Sequence, residues 1–232
     1  MIITKQKDKS EILKYLASDN KIFIVGCGEC ATVCKTGGEK EVNEMKKFLE
    51  GHGKIVTGIC LPDAPCIASQ ARTAIGKNKK AMKEADALLI MACGLAIQSV
   101  KENLAEDKTP PLRECGGSIL ADKALHITND TLFIGEVDKS GVFLERCSAC
   151  GDCILEVTGG ICPVTRCPKG LINGPCGGVN KHKCEVDEDL DCAWVLIYED
   201  LKKKGKLHLL KQYNPPKDHS KMLKPRKLVP AS

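Results

Sequence analysis

Eight of the 15 cysteines lie between residues 147 and 192, and they open with Cys147, Cys150 and Cys153 in a C-x2-C-x2-C run. A thiolate is a soft ligand that selects iron-sulfur clusters or zinc, and closely spaced thiolates let one loop wrap one inorganic centre. The run begins like the bacterial ferredoxin ligand pattern, in which a fourth cysteine follows after three residues and precedes proline. Here Cys162 and Cys167 arrive after eight and then four residues, yet each is followed by proline (Pro163, Pro168). Cys176, Cys184 and Cys192 follow at intervals of eight, seven and seven residues. Eight thiolates are the ligand complement of two four-iron clusters (4Fe-4S).

Zinc competes for the same donors. Structural zinc sites present paired C-x2-C motifs separated by a spacer, or mix in histidine. One zinc beside clusters stays open, with His182 near Cys184 as a spare nitrogen ligand or a bystander. The other seven cysteines fall in the first 115 residues. Cys27, Cys30 and Cys34 form C-x2-C-x3-C in a glycine-flanked loop, while Cys60, Cys66, Cys93 and Cys115 are scattered. Cys115 and either Cys60 or Cys66 are as well explained as small buried hydrophobes. Gly26 to Ala31 also fits the dinucleotide fingerprint G-x-G-x-x-A, but Thr36-Gly37-Gly38 interrupts the helix which that fingerprint needs.

The elements that must position these thiols alternate. KIFIVG (21–26) reads as a buried strand, EKEVNEMKKFLEG (39–51) as a glycine-closed helix and KIVTGI (54–59) as a second strand. ALLIMA (87–92) and TLFIGEV (131–137) add two strands, with helical patterns over 10–19, 68–85 and 95–104. The expected fold class is α/β: a small doubly wound, mainly parallel sheet over 1–140, then a cysteine-rich, metal-stapled domain over 141–205 ending in a helix. In such a sheet the strand carboxyl ends share one edge, so Cys27, Cys60 and Cys93 converge there. Cys27, Cys30, Cys34 and Cys93 are the expected ligands of a centre in the sheet domain. The terminal helix carries Leu190, Ala193, Trp194, Ile197, Tyr198 and Leu201 on one side.

Residues 206–232 read as a basic, proline-containing extended tail. From Leu201 onward there are ten Lys or Arg and one acid, a net of +9, so the total of +5 leaves residues 1–200 at −4. A folded body of that sign lacks the basic face that captures phosphate backbones, and no nucleic-acid partner is expected. A zinc-stapled module using its basic tail to dock on nucleic acid or protein is the rival reading. The start of the chain does not resemble a signal peptide, so a reducing, cytoplasmic setting is expected. The longest apolar stretches fall short of the roughly 20 residues of a membrane span. No P-loop, H-E-x-x-H or G-x-S-x-G occurs, and no catalytic residue is assigned.

The segment GGICPVTRCPKGLINGPCGGVNKHKCEVDEDLDCAWVLIYEDL, with N-G-P-C-G-G, K-C-E-V and C-A-W-x-x-I-Y in order, resembles the cysteine-rich C-terminal domain of methylenetetrahydrofolate reductases of anaerobic bacteria. With a thiol-bearing sheet domain in front, the chain is similar to the iron-sulfur subunits of MetVF-type reductases. That resemblance implies a non-catalytic electron-transfer subunit with two or three four-iron clusters. Its partners would be a low-potential donor, ferredoxin or another, and a MetF-type flavoprotein, a TIM barrel holding FMN. The partner would reduce methylene- to methyl-tetrahydrofolate, a step of one-carbon metabolism in the Wood-Ljungdahl pathway. About four strand-helix units are too few for a barrel of eight.

Overall fold

The computed structural model describes residues 1–105, 120 and 122–229. Cys115 lies outside the described residues. The chain divides into two compact units, Met1–Leu132 and Phe133–Ser232.

In the first unit the order is β1 (Ile2–Gln6), α1 (Lys9–Tyr15), β2 (Lys21–Val25), α2 (Cys30–Val33), α3 (Glu39–Gly51), β3 (Ile55–Cys60), α4 (Ala68–Glu84), β4 (Ala87–Ile90), α5 (Gly94–Ala105) and β5 (Ala124–Ile127). Four strands make a parallel sheet in the order β3-β2-β4-β5, with Val25 beside Cys60 and Ile90, and Ile90 beside Ile127. Strands of a parallel sheet covered on both faces read as unbroken apolar runs. Residues Ile22–Ile24 and Ala87–Ile90 are fully buried, as that rule requires.

Alternate side chains serve opposite faces. Ile22, Ile24, Ala87, Leu89 and Met91 pack with Ile12 and Leu16 of the α1 region and with Val42, Met45 and Leu49 of α3. Phe23, Val25, Leu88 and Ile90 pack with Ile75 and Met82 of α4 and Ala96 and Val100 of α5. The sheet is therefore doubly wound. Its order reverses direction between β2 and β4, and the switch point of such a sheet is where ligands bind.

The fourth parallel strand is β5, not 131–137. Residues Asn129–Val137 form β6, which runs from the first unit into the second and pairs there antiparallel with β7 (Phe143–Cys147). Leu132 and Ile134 are exposed, so this apolar run is a half-covered strand and not one sealed on both faces.

The second unit has little regular structure: the β6–β7 hairpin, the one-turn α6 (Pro163–Arg166) and α7 (Ala193–Lys203). Its apolar centre is small. Trp194, Ile197 and Leu201 of α7 pack with Ile161, Leu171, Leu207, Leu209 and Leu210. The basic end of the chain forms two 3-10 turns, Leu207–Lys211 and His219–Met222. Among the described residues no helix is long and apolar enough to cross a membrane.

Candidate metal centres

In the first unit, β2 and β4 deliver two thiols to the switch point. Cys27 sits two residues past the end of β2, and Cys93 three past the end of β4 at the entry to α5. The turn after β2 is held by backbone: Cys27 N donates to Gly37 O (3.0 Å), Gly28 N to Pro62 O (2.9 Å) and Glu29 N to Asp63 O (3.0 Å). Those bonds lay the loop after β3 along the Cys27–Cys30 loop, and Cys27 Sγ donates to Asp63 O at 3.6 Å. The glycines serve this packing. A Cβ on Gly37 would collide with the Met91 carbonyl, and one on Gly26 with the Gly37 carbonyl and the Val42 side chain. The nucleotide fingerprint lacks its helix, since α2 lasts one turn and Thr36-Gly37-Gly38 follow it.

Burial pushes the Cys27 thiol up, and Cys30 and Cys93 are near enough for their charge to push it further. Cys66 is raised by burial and then by Cys93 and Cys30. Cys27, Cys30, Cys66 and Cys93 thus share one electrostatic neighbourhood, in which Cys66, left out of the sequence-based ligand set, is the exposed member. The signal for Cys66 was its place just beyond β3, at the same sheet edge. Cys30 Sγ accepts from Ile2 N at 3.5 Å, while Cys34 Sγ turns to Ile2 O at 3.7 Å. Cys60, the last residue of β3, lies in the core, and burial pushes its thiol up to about 12.

In the second unit, Cys167, Cys176, Cys184 and Cys192 line a single pocket of about 20 Å³ with Pro168, Pro175 and Trp194. Short irregular pairings hold them. Cys184 N donates to Leu190 O (2.9 Å) and Cys192 N to His182 O (2.8 Å), flanking the bridges of Lys183 with Asn180 and Asp191. Trp194 Nε1 donates to Leu171 O at 3.0 Å and fixes the loop that leads to Cys176. Glu185 accepts from Lys169 and, at 3.2 Å, from Cys176 Sγ, and these two hold its carboxyl below the usual range. His182 Nδ1 lies 3.4 Å from Glu199 Oε1, and the ring lines a neighbouring pocket of about 510 Å³.

Of the remaining thiols, Cys147 and Cys162 are brought near one another by β7 and α6. Cys147 ends β7, and Ala149 N donates to its Sγ at 3.3 Å. Cys162 caps α6, whose Thr165 Oγ1 donates to Arg146 O at 3.2 Å, next to Cys147. Cys150 Sγ donates to Asp152 O at 3.6 Å, and Cys153 is exposed.

Every described cysteine is a free thiol. Among the described residues no group of three or more His, Cys, Asp or Glu stands ready to hold a metal ion. The donor chemistry nevertheless fits one. Four soft sulfurs round one small pocket suit a thiolate-bound centre, and backbone N–H groups on Cys30 and Cys147 are the contacts that tune such sulfurs.

The fold and these thiol groups define a cysteine-rich α/β protein with thiols clustered at a sheet switch point and in a separate turn-rich unit. Residues 126–220, less than half of the chain, match the family described as Methylene-tetrahydrofolate reductase C terminal, which relates the cysteine-rich unit to methylenetetrahydrofolate reductases. No curated protein and no solved structure matches the chain.

Proposed function

We propose that the chain is the iron-sulfur electron-transfer subunit of a methylenetetrahydrofolate reductase, of the MetV type. It would take electrons from a low-potential donor such as ferredoxin and pass them to the FMN of a MetF-type flavoprotein. Bound iron-sulfur clusters would supply single-electron transfer at low potential. Cys167, Cys176, Cys184 and Cys192 would hold one centre, and Cys147, Cys150, Cys153 and Cys162 a second. Cys27, Cys30, Cys66 and Cys93 would hold a third at the sheet edge. Cys34 and Cys60 are reserve ligands there, the first beside β1 and the second in the core. No residue of this chain is assigned a catalytic role, since the folate chemistry belongs to the partner.

The observation that carries the proposal is the pocket ringed by four cysteines inside the stretch that matches the reductase C-terminal family. The experiment is iron, acid-labile sulfide and zinc analysis of anaerobically purified protein, with EPR of the reduced sample. Iron and sulfide in near-equal amounts, a reducible EPR signal and co-purification with a flavoprotein are expected. Stoichiometric zinc without sulfide would overturn the electron-transfer role and favour the zinc-stapled module.

A further inference from the structure

The basic end of the chain follows a defined path over the second unit. Leu207, Leu209 and Leu210 pack on Trp194, Ile197 and Leu201. Asn214 then locks onto the loop before Cys176: its N donates to Asn173 Oδ1 (2.7 Å), its O accepts from Asn173 Nδ2 (2.8 Å), and its Nδ2 donates to Ile172 O (2.9 Å). From there three cations reach one short loop. Lys217 Nζ donates to Asp152 O and lies 3.9 Å from Cys150 Sγ. Lys221 Nζ pairs with Asp152 Oδ1 at 3.1 Å, and Arg226 Nη1 donates to Ala149 O at 2.7 Å. Asp218 Oδ1 accepts from Ser220 N at 3.0 Å and shapes the turn that carries Lys221.

The loop these cations meet is Cys147–Cys153, the C-x2-C-x2-C run. Its backbone is costly to hold: Ala149 has φ 52° and Gly151 φ 74°. A non-glycine residue in the left-handed region is strained and persists only where its surroundings fix it. Arg226 binds the carbonyl of that strained alanine, and Lys217 the carbonyl of Asp152 three residues on. A tail that merely kept the protein soluble would scatter its charges toward water. Here three of them converge on the four residues Ala149–Asp152 around Cys150.

We propose that residues 214–226 are a cationic strap. Lys217, Lys221 and Arg226 hold the Cys147–Cys153 loop in its metal-binding shape and offset the negative charge that its thiolates gather. The charge role rests on the iron-sulfur function proposed above; the hold on the loop does not. The three are positioning residues, and their effect on a bound centre has a definite sign. Reduction adds a negative charge, so nearby cations favour the reduced form and their loss lowers the potential.

The test uses the full chain with K217Q/K221Q/R226Q, against the charge-conserving K217R/K221R/R226K. In metal-free protein, amide hydrogen exchange over 147–153 is expected to quicken several-fold in the first variant and to stay near the unmodified rate in the second. In anaerobic, metal-loaded protein, iron release to a chelator is expected to rise by about 10-fold or more, the scale on which outer-shell partners act. The EPR-monitored midpoint potential should shift to more negative values. Unchanged exchange in the metal-free neutral variant would overturn the strap. Quickened exchange with an unchanged potential would overturn its charge role alone. Absence of iron from the unmodified protein would overturn the electron-transfer function, and the exchange experiment would still decide the strap.

Discussion

The two units present thiols by opposite means. In the first, Ile22–Ile24 and Ala87–Ile90 are sealed between helices on both faces of a parallel sheet. Cys27 and Cys93 are carried to the switch point as a by-product of that core. Those two thiols are positioned by the fold itself. In the second unit the buried apolar side chains of the core cluster are Trp194, Ile197 and Leu201, and the eight cysteines lie on turns, at the end of β7 and at the ends of α6 and α7. Lys181 and His182 have φ of 45° and 71°, and they stand beside Cys184 as Ala149 stands beside Cys150. A unit of that size with so small a core needs a staple, and the proposed metal centres are where it would come from. One unit organises a site by burying carbon; the other would be organised by what its sulfurs bind.

The largest expected effect comes from withdrawing metal. Chelation under anaerobic reducing conditions should strip amide protection from the Cys176–Cys192 turns of the second unit, where the Cys184 and Cys192 N–H groups bond to turn carbonyls. The β2 and β4 amides of the first unit should keep theirs. Hydrogen exchange read by mass spectrometry distinguishes the two, and equal loss in both units would abolish the contrast. A smaller effect tests the same contrast from the other side. Leu89 is fully buried, so Leu89→Ala should cost the first unit about 2–5 kcal/mol in a urea titration. That loss should be the same with and without metal in the second unit.

The same contrast explains what the sequence disclosed. The central strands and α3, α4 and α5 were legible because burial on two faces writes unbroken apolar runs and one-sided helices into the chain. β1 offers only Ile2 and Ile3 before turning polar, and β5 is a four-residue strand at the end of the sheet order that contains a histidine, so neither declared itself. TLFIGEV was legible as a strand but not as part of β6, because alternation and branching are alike in parallel and antiparallel strands. At the thiols, spacing revealed the groups but not their membership. That Cys66 joins Cys27, Cys30 and Cys93 in one neighbourhood depends on two loops zipped together by backbone N–H groups, which leave no mark on residue type. The tail read only as a basic, extended segment for the same reason: lysines that donate to carbonyls are spelled like lysines that face water.

The smallest effect sharpens the comparison through acid. Asp86 Oδ2 accepts from Asn20 N (2.9 Å) and Lys21 N (2.8 Å), the entry to β2, and the Lys21 amide, then that of Asn20, holds its carboxyl below the ordinary value. Asp152 is also lowered, first by Lys221, but what it steadies is the Cys147–Cys153 loop. A carboxyl whose folded value is depressed contributes stability above its unfolded value, about 3.9, and that stability is lost as pH falls through the folded value. Asp86→Asn keeps an acceptor for the two amides but has no proton to gain. Between pH 5 and 2 the unmodified first unit should therefore lose more stability than the variant, by a small margin because the side chain is exposed. Parallel acid titrations of the two proteins, followed by circular dichroism, measure that margin. Identical slopes would mean that the entry to β2 is fixed by the packed sheet alone, and the first unit would then depend on buried carbon even more completely than its thiol placement implies.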